Sequence, residues 1–381
     1  MARVLPFPAL LSSLDAQLPP QTASVLGARG LQPAHVRPLL EAVDPSAELG
    51  RWRDSGAVLR DARPALYLLE LLPEGAPARA TPVRYLLCGL MKDSAEPLEH
   101  EPYIPRSAQV EPAITLAADD HGVLRDLLAE AAERSVLVWR GGFDGQQLAL
   151  KRIEPSAISK RLQAALDEAP LRPLSALDER GPSLAAIVAL SDPGLHFAPV
   201  HRGVRNLDTF NEDTFLQLVA GYARSYDLDE PLDTARGLEA AQERLATLIT
   251  GHHAVLLVLP QGRGRILRFR QGLDLAHIKA APRNPTLRSL DLALLNALVL
   301  RTVMGIQDPE APGHPNVFAV HSLEQLVEEV QRGTYQVGFG LNPPPVWEVR
   351  AVMEAAATLP PRTLRVDPLP PAGLLFLDRE A

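Results

Sequence analysis

The chain is poor in cysteine, lysine and aromatic residues. Each shortage excludes something. Of 381 residues, one is cysteine, Cys88. A single thiol forms no intramolecular disulfide and supplies no cysteine-based zinc site. Cys88 lies in the apolar run YLLCGLM, which predicts a buried, unreactive side chain rather than a nucleophile. Lysine occurs only at Lys92, Lys151, Lys160 and Lys279, so nearly all positive charge is arginine, and the net charge is -8. That balance opposes non-specific attachment to a nucleic-acid backbone, which needs concentrated cations. No apolar stretch reaches the roughly 18 residues of a membrane span. The start, MARVLPFPALL, is too broken by proline for a secretory core. These absences predict a soluble, cytoplasmic protein with no membrane partner.

What is abundant supports a folded chain. Hydrophobic residues make up 46% and charged residues 22%, enough apolar material for a sizeable core. Residues 1 to 65 are proline-rich, with short helical pieces expected near 37 to 43 and 47 to 54. Strands are predicted at 65 to 71 (ALYLLEL) and 84 to 91 (RYLLCGLM), paired as a hairpin. Asp119 and Asp120 are expected caps of a helix to about Arg134, whose Leu124, Leu127, Leu128 and Ala131 share a face. A hairpin is expected across Asp144-Gly145, and a helix from Ser156. After Asn206 the pattern turns helical, with helices expected at 213 to 226, 236 to 249, 289 to 304 and after Ser322. A second hairpin crosses PQGRG, where the glycine spacing does not suit a phosphate loop. The expected class is mixed α/β, in two halves that divide near residue 206: 1 to 206 and 207 to 381.

The stretch Leu184 to Leu207 anchors this organisation. It reads as a buried strand, an Asp-Pro-Gly turn, a short apolar run and an exposed-looking pair, His201-Arg202. A polar pair at a strand end is where α/β proteins place ligands. Histidine carries protons near neutral pH, and arginine clamps anions. Upstream, the extended segment LEHEPYIPRS brings His100, Glu101 and Arg106. Adjacent side chains on extended backbone face opposite ways, so His100 and Glu101 do not readily act at one centre. His252-His253 sits at a strand start, lacks a third ligand at zinc spacing, and is read as structural, with no metal site expected. Trp347, beside a triple proline, is read as a packing anchor.

Several blocks, in order, resemble the bacterial and archaeal domain-of-unknown-function family 1015. They are LPFPALL at Leu5 to Leu11, LEHE at Leu98 to Glu101, SDPGLHFAPVHRG at Ser191 to Gly203, VGFGLNPPPVWEVRAVMEAAATLPPRT near the C-terminus, and GLLF at Gly373 to Phe376. The resemblance implies a remote similarity to the ParB, sulfiredoxin and free serine kinase superfamily. The first half would be ParB/sulfiredoxin-like, packed on a second half of mixed sheet and helices. It further implies a site of His100, Glu101 and His201 in catalytic roles, with Arg202, Arg106 and Arg180 binding a phosphate. If active, the chain would be a nucleotide-dependent kinase or phosphotransfer enzyme. The cofactor is left unknown, with a nucleotide and magnesium as the candidate.

The chain also departs from that family. Its Asp-Gly-His-His-Arg segment is absent, and Asp178-Glu179-Arg180 is the remnant. Its Lys-Ser-Thr reads Arg362-Thr363-Leu364, and its later Pro-Lys reads Pro368-Leu369. Two functions are therefore expected in competition. One is binding of a small phosphorylated ligand or nucleotide at a degraded enzyme-like site. The other is an inert scaffold or regulatory role, as in a pseudoenzyme. DNA binding is disfavoured by the acidic balance and the lack of a helix-turn-helix pattern. The sequence is silent on oligomeric state.

Overall fold

The structure is a computed structural model that describes residues 3–7, 9–12, 51–54, 58–61, 63–77, 79–91, 108–109, 112–118, 121–143, 145–174, 177, 181–248, 253–273, 275–278, 281–311, 313–371 and 373–378. The class is mixed α/β. The chain divides into two compact units, Met1–His196 with Pro368–Ala381, and Phe197–Asp367.

The first unit is built on an eight-stranded sheet. Its centre is the strand Ser183–Ala189, buried at every position. That strand runs antiparallel to Val83–Met91 and parallel to Ala113–Ala117. A strand covered on both faces must be apolar throughout, which is why SLAAIVA shows no alternation. The expected hairpin of 65 to 71 with 84 to 91 is present, Leu66–Pro73 pairing antiparallel with Val83–Met91. Helices Val123–Arg134 and Ala157–Glu168 cover this sheet with Leu124, Leu127, Leu128, Ile158, Leu162 and Leu166. Ser156 caps the second helix in a reciprocal capping box. The first begins later than expected, at Val123 with Gly122 as its cap; Asp119 and Asp120 lie outside the described residues. Cys88 is fully buried in this core, and burial pushes its thiol far up, as an inert thiol requires.

The second unit is a six-stranded antiparallel sheet. The order is Ala223–Asp227, Gly264–Phe269, Ala254–Val258, Val337–Gly340, His201–Val204 and Val317–Val320. The period-two rule divides its central strand cleanly. Val255 and Leu257 join one core, with the Asp291–Leu294 helix and its π-helical continuation Leu295–Val303. Ala254, Leu256 and Val258 join another, with helices Ala235–Thr247 and Leu323–Gln331. The hairpin across PQGRG is present. Gln261 and Gly262 both take positive φ at its tip, between Leu259 and Arg263, which are joined by a backbone hydrogen bond.

One expectation fails in this unit. The helix predicted at 213 to 226 stops at Val219, and Ala223–Asp227 is an edge strand. Arg270 donates to the Ala220 carbonyl at the helix end, and the strand pairs with Gly264–Phe269. The sheet partner outweighs local helix propensity there. Trp347 is a second correction. It is 61% exposed rather than packed.

Gly203 shows how tightly the His201 strand is held. A Cβ on it would lie 2.6 Å from the Tyr335 ring, which covers that backbone. Gly203→Ala is therefore expected to cost about 1–3 kcal/mol, read as a lower denaturation midpoint.

Candidate functional site

The exposure expected of His201 and Arg202 is not found: both are buried in the strand His201–Val204. They are 5% and 4% exposed. The Arg202 guanidinium donates to the carbonyls of Val200 at 2.8 Å, His201 at 3.3 Å, Pro361 at 3.2 Å and Arg362 at 3.0 Å. A guanidinium has five N–H donors and no acceptor. With these bonds made, it acts as a clamp on backbone rather than an open anion receptor. It pins the turn at Pro360 to Thr363, where Arg362 takes a left-handed φ of 57° and the Thr363 hydroxyl donates to the Pro360 carbonyl. That turn leads directly into the strand Leu364–Asp367.

His201 has a defined tautomer. Its Nδ1 accepts from the Leu341 N–H at 3.1 Å. Burial first, then the charges of Arg202 and His321, push its pKa down to about 4. The ring is therefore neutral at pH 7, with its proton on Nε2. It can offer one hydrogen bond and has no free lone pair with which to act as a base.

His201 forms part of the floor of an open groove of about 750 Å³. Helix Ala235–Thr247 lines one part through Leu238, Glu239 and Gln242, and helix Leu323–Gln331 another through Glu324, Val327 and Glu328. Both helices present their N-terminal turns here. Thr234 caps the first, accepting from the Gly237 N–H, and Ser322 caps the second, accepting from the Gln325 N–H. Strand Leu364–Asp367 adds Arg365, which has no hydrogen bond or ion pair among the described residues. His321 completes this part of the wall. Burial lowers its pKa, and Arg365, Arg202 and Arg362 lower it further, which marks a locally positive field. Asp233, Glu239, Glu324 and Glu328 are acidic, and Glu328 is already paired with Arg332. The groove is thus mixed in charge, with its arginine field concentrated at His321.

Of the other residues expected in the site, His100, Glu101, Arg106 and Arg180 lie outside the described residues, as does His252. The structure brings together His201, His321 and Arg365 instead. His321 and Arg365 carried no motif in the sequence. Each sits beside a structural signal, the Ser322 capping box and the Arg362-Thr363-Leu364 block respectively. Sequence reasoning also set aside His253. Its Nδ1 lies 2.9 Å from Asp291 Oδ1, across a separation of 38 residues.

Among the described residues no helix is long and apolar enough to cross a membrane, and no group of three or more His, Cys, Asp or Glu side chains could hold a metal ion. No protein-family model matches the chain, and no curated protein matches it. Solved structures similar to it include a conserved hypothetical protein from Pyrococcus furiosus, at 11% identity over 74% of this chain and 97% of that one, with a TM-score of 0.31. A free serine kinase in complex with AMP is similar at 11% identity over the same shares, with a TM-score of 0.32. At this distance no residue role or activity passes from either protein to this chain.

Two predictions follow from the buried pair. Arg202→Ala strands carbonyls in a closed environment and is expected to destabilise the protein by about 3–5 kcal/mol, measured by chemical denaturation. His201 binds fewer protons folded than unfolded between its ordinary pKa of 6.5 and about 4. Its stabilisation is therefore full above pH 6.5 and lost as pH falls through about 4. His201→Asn, whose Oδ1 can take the Leu341 bond in place of Nδ1, should flatten that acid limb by roughly 2–3 kcal/mol. An unchanged limb in pH-dependent denaturation would assign it to other groups.

Proposed function

We propose that this chain binds a small phosphorylated molecule, of nucleotide size, in the groove of its second unit. The observation that carries this reading is Arg365. It is an exposed guanidinium whose side chain has no hydrogen bond or ion pair among the described residues, beside a histidine whose protonation is opposed by three arginines. A phosphate supplies the charge this corner lacks, and arginine binds it through paired N–H donors. The N-terminal turns of the two flanking helices add partial positive charge. His201 contributes an Nε2–H. A volume of about 750 Å³ falls within the range of small-molecule sites. Glu239 and Glu324, which have no side-chain hydrogen bond or ion pair among the described residues, suit the hydroxyl or amino donors of the rest of such a ligand.

In this reading the roles inferred for the pair are divided. Arg202 positions the turn that precedes Arg365, and Arg365 takes the phosphate. The ordered blocks quoted above support placing the chain as a divergent member of the domain-of-unknown-function family 1015. Binding rather than catalysis is favoured, because neutral His201 has its only lone pair occupied by Leu341. That same observation favours the second reading, an inert scaffold or regulator, should no ligand be found.

Thermal denaturation with ADP, with and without magnesium, tests this against adenosine as the neutral control. Ligand at about 100 times its Kd stabilises by about 2.7 kcal/mol, so ADP is expected to raise the Tm and adenosine to do so far less. Arg365→Ala should weaken ADP binding about tenfold or more, the loss of a charge-assisted contact, while leaving the unliganded Tm near the parent value. No response to ADP, or a response indifferent to Arg365, would leave the scaffold reading in its place.

A further inference from the structure

A second site lies in the same unit. Its elements are the start of strand Ala254–Val258, the start of helix Asp291–Leu294, and the three prolines before helix Val346–Glu354. Together they bring His253, Asp291, Asn342 and Glu348 to a small recess, with Thr363 beside them and Leu290, Leu292, Leu341 and Pro343 to Pro345 as apolar walls. The recess holds about 20 Å³, the room of a single water-sized group.

The hydrogen bonds leave a definite remainder. The Asp291 carboxylate accepts from His253 Nδ1, from the Ala254 N–H and from the Asn342 side chain. The Asn342 amide nitrogen also donates to the Leu245 carbonyl at 3.0 Å. With both amide hydrogens committed, Asn342 Oδ1 is left as an acceptor. Glu348 is 8% exposed, lines the recess, and its side chain has no hydrogen bond or ion pair among the described residues. The groups left open on Glu348 and Asn342 are therefore acceptors: two carboxyl oxygens and one amide oxygen. Charge follows the same pattern. His253 neutralises Asp291, and Glu348 has no counterpart. A buried carboxylate in that state is costly unless it is protonated or meets a cation.

We propose that this recess binds a primary ammonium group, the amine end of a small amino compound. An ammonium carries three donors and no acceptor, the complement of the free acceptors on Glu348 and Asn342. Its size suits the recess, and the prolines and leucines would meet the attached methylene. The charged groups acting on Glu348 are Asp291, which opposes its ionisation, and His253, which favours it. Burial and Asp291 together push the Glu348 pKa up to about 7. An ammonium ligand selects the ionised form, so binding should strengthen as pH rises through that value and should release a proton there. This site shares no lining residue with the groove, so the proposal stands independently of the phosphate reading.

The test is titration of the full chain with methylammonium chloride at constant ionic strength. Potassium and tetramethylammonium chlorides are the controls, read by thermal denaturation and by proton release at pH 7. Methylammonium is expected to raise the Tm more at pH 8 than at pH 6, with proton release. Tetramethylammonium, which has no N–H, should do neither. Glu348→Gln keeps the shape, removes the charge, and should weaken the methylammonium response about tenfold or more with its folded circular dichroism unchanged. An equal response to potassium would make this an inorganic cation site and overturn the ammonium assignment. A response that survives Glu348→Gln, or no response in the parent protein, would overturn it as well.

Discussion

The second unit depends on where one guanidinium goes. Arg202 lies on a strand between two others, and its side chain leaves the sheet to hold four carbonyls of its own strand and of the Pro361-Arg362 turn. A buried cation with carbonyl partners is expensive to remove, because its loss takes hydrogen bonds from carbonyls in a closed environment. The turn it holds takes a left-handed residue at Arg362 and passes into the strand bearing Arg365. In physical terms, the buried arginine is spent so that the exposed one has a fixed starting point. His201, one residue earlier, points to the other face and is neutralised by the same burial. The two adjacent residues thus divide the work of a strand, one side fixing a turn and the other flooring a groove.

The same sheet explains why the His321 corner of the groove and the recess differ in sign. Leu341, whose N–H bonds His201 Nδ1, also lines the recess, so the end of one strand touches both. At the groove the neighbouring charges are Arg365, Arg202 and Arg362, and they drive histidine toward neutrality. At the recess the neighbours are Asp291 and Glu348. There the His253 pKa is raised, first by its hydrogen bond to Asp291, and burial holds both carboxyl groups above their usual range. Histidine is shifted in opposite directions within one unit because its nearest formal charges are opposite.

Much of the framework was legible in the sequence, and the reasons are local. Ser183–Ala189 is buried at every position because it is covered on both faces, and apart from Ser183 at its start it is apolar throughout. The Gln261-Gly262 turn and the Ser156 and Ser322 caps are all decided by residues within a few positions of one another. The edge strand Ala223–Asp227 was not legible, because its partner lies some forty residues on. The return of Pro368–Ala381 into the first unit has the same character. The site was less legible than the fold. The exposed look of His201-Arg202 came from polarity alone, and polarity does not reveal four waiting carbonyls. The pairing of His253 with Asp291, and the placing of Glu348 in the same recess, joins residues far apart in the chain with no spacing rule between them. His100, Glu101, Arg106 and Arg180 remain expectations outside the described residues.

The central claim is that the anionic group of a ligand goes to Arg365 beside His321, and not to Arg202. Heteronuclear NMR of the side-chain guanidinium and imidazole signals during titration with inorganic pyrophosphate tests it directly. The account predicts that the Arg365 and His321 signals move together and saturate, with the His321 pKa rising as the anion offsets its arginine neighbours, while the Arg202 signal stays in place. Movement of Arg202 with Arg365 unmoved would contradict it.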